Sequence, residues 1–207
     1  MSDIVICAHN EESTIYDIVR SAVTAAVGKV IVVADKCDDR TASLAHQAGA
    51  FTLLTPYGDK GSALMEGLKH VGSPRTILFD ADLTGVEPEH FEKLDTYEDG
   101  MTVGIRGAAN ERGKSKNISA SWSIGGERCL PTESLMRVSL KNAGYRMEMR
   151  INHQAKLEHM KSRYVWLDKV DHVTDFEKMH SIKALQHDVK RWIQVFQGYI
   201  EGPKLGA

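Results

Sequence analysis

Asp80 and Asp82 flank one alanine, Ala81, directly behind a short apolar run, Thr76 to Phe79. Two carboxylates one residue apart suit a hard divalent cation, because Mg2+ and Mn2+ take oxygen ligands and are often held by one or two carboxylates plus substrate phosphates. Asp is also common in polar turns that close strands, so the tripeptide alone admits both readings. A second acidic stretch, Asp35 to Thr41, follows another apolar run. Asp39 is placed to cap the next helix, and Asp35 to accept from a base or ribose. A third segment, Gly58-Asp59-Lys60-Gly61, opens a helix whose backbone N–H groups, with the lysine, suit a phosphate. It is not a P-loop, since the Gly-Lys-Ser/Thr ending is missing, and no G-x-G-x-x-G follows the first apolar run. ATPase and dinucleotide readings are therefore weak.

These residues need a frame that brings them to one edge. Asp3 to Ala8, Lys29 to Ala34, Phe51 to Leu54 and Thr76 to Phe79 read as strands. Between them, Asn10 to Val27, Asp39 to Ala48 and Gly61 to Val71 carry helical spacing; Ile15, Ile18, Val19, Ala22, Val23 and Ala26 share one face. Alternating strands and helices imply a mostly parallel α/β sheet flanked by helices. Such sheets bind ligands beyond the carboxyl ends of their strands, which picks out His9-Asn10-Glu11, Asp35 to Asp39, and Asp80 to Asp82. Farther on, the spacing predicts a short helix over Pro88 to Leu94 and a strand over Met101 to Arg106. Strands are expected over Ser119 to Ile124 and Glu127 to Leu130, around Gly125-Gly126, and over Tyr164 to Val170. Helices are expected over Thr132 to Asn142 and Arg146 to Met160. A long amphipathic helix is expected over Phe176 to Ile200. It packs on its own domain, forms a homodimer interface or lies on a membrane surface. The polar stretch 108–117 reads as a loop; its Arg112, Lys114 and Lys116, with Arg106, either cover an anionic acceptor or are simply solvated.

The 207 residues fit one domain, or one domain with an appended segment. With 26 basic and 28 acidic residues the net charge is −2, which argues against a general nucleic-acid binder. Cys7, Cys37 and Cys129 match no zinc or disulfide spacing, and the N-terminus lacks the pattern of a signal peptide. A reducing, cytoplasmic setting is expected. No apolar run approaches the roughly 20 residues of a membrane span.

Taken together, four segments resemble family-2 glycosyltransferases. The opening strand with Asn10-Glu11-Glu12 looks like their V-x-x-P/A-x-N-E-E start. Residues 30–50 look like their second strand and helix, Gly58 to His70 like their G-K-G-x-A-L segment, and Thr76 to Leu94 like the strand carrying their D-x-D motif. Order and spacing match across residues 4 to 95. More weakly, Gly125-Gly126-Glu127-Arg128 and Gly144-Tyr145-Arg146-Met147-Glu148 look like the acceptor side of soluble members such as glucosyl-3-phosphoglycerate synthases and dolichyl-phosphate sugar synthases.

The resemblance implies a GT-A fold, a Rossmann-like nucleotide-diphospho-sugar domain, over residues 1–175. Residues 1–95 would be the donor half and 96–175 the acceptor half, with 176–207 appended. It implies a metal-dependent, inverting transfer of a sugar from a nucleotide-diphospho-sugar, UDP-glucose first and GDP-mannose second. Ala8, Asn10, Glu11, Asp35, Lys60, Gly61, Asp80 and Ala81 would line the donor site, with Asp80 facing the ribose or the sugar. Asp82 and His172 would hold Mn2+ or Mg2+. Glu148 would be the base for the acceptor hydroxyl, with Glu127 the runner-up; Arg128 would meet an acceptor phosphate or carboxylate. Glu148 also reads as an exposed helix residue and His172 as a packed histidine. A small phosphorylated metabolite, a polyprenyl phosphate, a protein and a modified nucleobase all remain open as acceptor. Ala34 and Lys36 depart from the family pattern and bear on base and sugar preference. Two other classes stay in view. A sugar-phosphate nucleotidyltransferase would open with a Gly-rich basic loop, which His9-Asn10-Glu11-Glu12 is not; an inactive sugar-nucleotide-binding or assembly protein would not need the intact acids.

Overall fold

A computed structural model of the chain describes residues 1–106 and 125–173. The strands are β1 (Asp3–Ala8), β2 (Val30–Asp35), β3 (Phe51–Thr55), β4 (Arg75–Asp80), β5 (Leu83–Thr84), β6 (Gly100–Arg106), β7 (Arg128–Pro131), β8 (Lys161–Leu167) and β9 (Asp171–His172). The helices are α1 (Ile15–Ala25), α2 (Thr41–Gln47), α3 (Lys60–Leu68), α4 (Pro88–Asp95), α5 (Thr132–Met136) and α6 (Met147–Leu157). Seven strands form one sheet in the order β3-β2-β1-β4-β7-β6-β8. All neighbours are parallel except around β7, which runs antiparallel to β4 and to β6. β5 and β9 pair in a small separate ladder, Leu83 opposite His172 and Thr84 opposite Asp171.

The central strands are buried on both faces, so β1, β2 and β4 are continuous β-branched and aliphatic runs. On one face Ile4, Ile6, Val32, Ile77 and Phe79 pack against Ile15, Ile18, Val19, Phe91 and Leu94 of α1 and α4. On the other, Val5, Ile31, Val33 and Leu78 pack against Leu64 and Leu68 of α3, Leu135 of α5, and Met147 and Ile151 of α6. Fully burying one such side chain stabilises the fold by about 1.5–3 kcal/mol.

Several boundaries differ from the sequence expectation, those of α1, α5, α6 and β8 among them. α1 starts at Ile15, not Asn10, because Asn10 is left-handed (φ 57°) and the N–H groups of Glu11 and Glu12 go to Thr41 Oγ1 and Asp39 Oδ2 across the sheet edge. α5 covers only Thr132–Met136, and a turn follows in which Asn142 and Gly144 are both left-handed. α6 ends at Leu157, and β8 begins at Lys161 because it pairs with β6 from Gly100 to Arg106. The expected 119–124 strand, the basic loop 108–117 and the 176–200 helix lie outside the described residues.

Candidate active site

The parallel strands deliver their carboxyl ends to one edge. β1 and β4 run in register there, Cys7 opposite Asp80. α3 begins on the same edge with Lys60, and α6 carries Glu148 on its first turn. Lys60 joins them: its Nζ lies 2.7 Å from Asp80 Oδ1 and 3.1 Å from Glu148 Oε1. One ammonium is thus shared by a carboxylate from each half of the chain. Burial disfavours the Lys60 ammonium, but Asp80 and Glu148 overcompensate and hold it protonated well above the usual lysine range. Burial likewise works against a charged Asp80, yet Lys60 and Arg106 keep its carboxyl far below the usual carboxylate range. The Cys7 thiol beneath them is pushed up to about 12, first by burial.

Behind Asp80 stands a second acid. Glu127 is wholly buried; its Oε2 lies 3.4 Å from Arg106 Nε, and its carboxyl meets that of Asp80. Burial raises Glu127 to about 7; Arg106 opposes that rise and Asp80 adds to it. Near neutral pH Glu127 therefore carries a proton for part of the time, as expected when two carboxyls share a dry site. Gly126 makes the arrangement possible. A Cβ there would fall 2.2 Å from Asp80 Oδ2, so only glycine lets the carboxylate rest against the backbone.

Asp82 is half-buried on the same edge, two residues beyond Asp80. Its carbonyl accepts from the Val173 N–H at 2.9 Å, and β9 sets the His172 backbone opposite Leu83. Asp82 thus stands immediately before a two-strand ladder that holds the His172 backbone, although the two are 90 positions apart in sequence. Arg106 is drawn by Glu127, Asp80, Asp82 and Asp171 together, so this corner holds a surplus of acids. Hard oxygen donors in surplus fit Mn2+ or Mg2+, which need few protein ligands when a diphosphate supplies the rest. Among the described residues no group of three or more His, Cys, Asp or Glu closes on one point.

The other expected site residues divide into two sets. Ala8 ends β1, and the Ala81 carbonyl accepts from Thr14 Oγ1 at 2.6 Å, which fixes the first loop beside the acidic motif. Asn10 is exposed and Glu11 half-buried on that loop; Asn10 Oδ1 accepts from the Asp38 N–H. These positions line the edge. Asp35, Gly61 and Arg128 face inward. Asp35, expected to be open to a base or ribose, instead accepts from Thr55 Oγ1, the Tyr57 N–H and the Asp59 N–H at 2.8–2.9 Å. Gly61 meets backbone: a Cβ there would fall 2.0 Å from the Leu140 carbonyl oxygen. Arg128 is fully buried, holding the Gly125 carbonyl through Nε and Nη2 and Asn152 Oδ1 through Nη1. Sequence reasoning did not foresee the part played by Asp59, Thr14, Gly126 and Asp171. Asp59, in the singled-out Gly-Asp-Lys-Gly segment, and Gly126, in Gly-Gly-Glu-Arg, had a readable signal.

A family model described as glycosyl transferase family 2 matches residues 3–152. No curated protein matches the chain in sequence. Among solved structures, the fold is similar to glucosyl-3-phosphoglycerate synthase from Mycobacterium tuberculosis in complex with Mn2+, UDP and phosphoglyceric acid. That match has a TM-score of 0.78 and 19% identity, and covers 99% of this chain and 80% of that one. The complex of the same enzyme with Mg2+ and UDP matches at TM-score 0.77 and 19% identity, covering 97% and 78%. Its complex with Mn2+, UDP-Glc and glycerol 3-phosphate matches at 0.74 and 17%, covering 96% and 79%. At such identities the likeness is one of fold.

Proposed function

The chain belongs to glycosyl transferase family 2, and from that premise we propose that it transfers a sugar from a nucleoside-diphosphate sugar, UDP-glucose first and GDP-mannose second, with inversion. The observation that carries this reading is the Lys60 ammonium held between Asp80 and Glu148, because it brings a donor-side acid and an acceptor-side acid to one point. The structural neighbours bound to UDP or UDP-Glc with Mn2+ or Mg2+ support the choice of donor and ion. Residues 1–95 form the donor half and 96–175 the acceptor half.

Ala8, Asn10, Glu11 and Ala81 line the nucleotide pocket, and Asp80 faces the ribose or the sugar. Asp35 and Gly61 hold the pocket wall in place. Asp82, with His172, holds Mn2+ or Mg2+. When bound, that ion neutralises the charge that collects on the departing diphosphate. Glu148 takes the proton of the acceptor hydroxyl; the acceptor oxygen bonds to the anomeric carbon as the bond to the diphosphate breaks, and one displacement inverts the centre. Lys60, between Asp80 and Glu148, lies near the nucleotide base or the diphosphate. Glu127 backs Asp80 and pairs with Arg106, while Arg128 holds the Gly125 carbonyl beside Gly126.

The test is a thermal-shift panel of UDP-, GDP-, ADP- and dTDP-sugars with and without Mn2+, run on the parent protein, Asp82→Ala and Glu148→Gln. A ligand that binds only the folded state raises its stability with occupancy. One nucleotide is expected to shift the parent more with Mn2+ than without. Asp82→Ala keeps its own melting temperature but loses the metal-dependent part; an unchanged metal response would remove Asp82 from the metal site. Glu148→Gln keeps the whole shift and loses turnover by roughly 100-fold or more. Near-normal turnover would move the base elsewhere.

A further inference from the structure

We infer that Asp59 is the positioning residue that registers the acceptor half against the donor half, setting Glu148 over Lys60. This rests on Glu148 as the base. Asp59 is the N-cap of α3, and Oδ2 accepts from the Ser62 N–H and Oγ at 2.7 Å each. A cap needs no more than that. Yet the same carboxylate reaches across more than eighty residues of sequence: Oδ2 also accepts from the Asn142 N–H at 3.0 Å, and Oδ1 from the Gly144 N–H at 2.9 Å.

The receiving turn is shaped for an anion. Asn142 and Gly144 both have positive φ, 54° and 52°, so their N–H groups converge on one side; such backbone concavities bind anions. Here the anion is a side chain of the chain itself. From Gly144 a single 3-10 turn leads to Met147, and Glu148 follows. The backbone of Asp59 is fixed in turn from the donor side, because its N–H donates to Asp35 Oδ2 at 2.9 Å. Its neighbour Lys60 carries the ammonium that touches Glu148. Gly61 presses backbone to backbone on the same turn through the Leu140 carbonyl. A continuous line therefore runs from the tip of β2 through Asp35, Asp59 and the 142–144 turn to Glu148. Four donors on one carboxylate leave it little freedom, and a shift of about 1 Å at Glu148 costs roughly 100-fold in rate.

The experiment uses the full chain as Asp59→Asn and Asp59→Ala, with Thr96→Ala as control. Asparagine keeps the size but turns an NH2 toward N–H donors. Amide hydrogen exchange of the ligand-free protein reads residues 142–148; UDP binding with Mn2+ reads the donor side; UDP release from UDP-glucose reads kcat and KM. Both Asp59 variants should exchange roughly tenfold faster over 142–148 and lose roughly tenfold or more in kcat, with UDP affinity and the KM for UDP-glucose nearly unchanged. Thr96→Ala, which removes an exposed hydroxyl that donates to the Lys93 carbonyl at the end of α4, should change none of these by more than about twofold. A plain capping role would lower thermal stability without splitting kcat from KM. Unchanged exchange at 142–148 overturns the inference, as does faster exchange with kcat retained, or loss of kcat together with UDP affinity. Should Asp59→Ala not fold, Asp59→Asn decides. Should the parent not turn over UDP-glucose, the donor assignment is what fails. A crystal structure of Asp59→Asn then decides: Lys60 Nζ still 3.1 Å from Glu148 Oε1 refutes the role, and a broken contact supports it.

Discussion

Replacing Gly126 with alanine is the smallest change that tests the placement of Asp80. The new methyl would sit 2.2 Å from Asp80 Oδ2 and 2.3 Å from both Cγ and Oδ1. Ordinary contact begins near 3.4 Å, so the carboxylate must retreat by about 1 Å or the Gly126 backbone must lift by as much. Neither movement is free. Asp80 is tied to Lys60 at 2.7 Å and backed by Glu127, and the Gly125 carbonyl next to the glycine is pinned by Arg128. Overpacking of this kind costs about 1–3 kcal/mol of stability. A 1 Å error at a reacting group costs roughly 100-fold in rate, equivalent to about 2.7 kcal/mol of barrier. The assay is UDP release from the donor chosen by the thermal-shift panel, with the melting temperature recorded alongside. Gly72→Ala is the control, because a Cβ there meets only Asp3 Oδ2, at 3.9 Å. A folded Gly126→Ala protein that turns over within about threefold of the parent would refute the reasoning, since Asp80 would then tolerate displacement.

Other consequences concern stability and reactivity. Asp3 is buried and accepts from the Lys29, Gly72 and Ser73 N–H groups and from Ser73 Oγ. Burial opposes its charge, but these donors hold its pKa below the usual 3.8. The folded value is depressed, so its contribution is complete above the unfolded value and fades as pH falls through the folded one. Urea unfolding should show Asp3→Asn destabilised by about 3 kcal/mol at pH 7, with the gap shrinking below about pH 4; a gap that stays constant down to pH 3 would contradict the assignment. Cys7, pushed up to about 12, has almost no thiolate at pH 8. Iodoacetamide should label it far more slowly in the folded protein than in urea, as peptide mass mapping would show; equal rates would mean that the fold does not suppress its thiolate.

How much of this the sequence disclosed depends on what each feature answers to. β1, β2 and β4 were legible because strands buried on both faces must be continuous apolar runs, and a turn-forming Asp marks where each of the last two ends. The start of α1 was not. Helical periodicity extends back to Asn10, but the amides of Glu11 and Glu12 are taken by Thr41 and Asp39, whose position depends on the sheet. Asp35 was readable as an acid at a strand tip; that it turns to Thr55, Tyr57 and Asp59 follows from a loop twenty residues away. Arg128 looked like a ligand contact because it stands beside Gly-Gly-Glu, and only the packing of α6 with Asn152 turns it inward. The meeting of Lys60 with Glu148 spans 88 positions and has no local signature. The family resemblance implies Lys60 on the donor side and Glu148 on the acceptor side, but not that they touch.

The antiparallel insertion of β7 between β4 and β6 has an engineering consequence. β6 leaves the sheet at Arg106, and the chain re-enters β7 with the Glu127 carbonyl bonded to the Gly104 N–H at 2.8 Å. Exit and return are thus neighbours on the edge that carries Asp80 and Glu127. Residues exchanged between those two anchor points enter and leave the chain beside Asp80 and Glu127. A library confined to that interval therefore varies what borders the candidate site while the residues of the described sheet stay as they are.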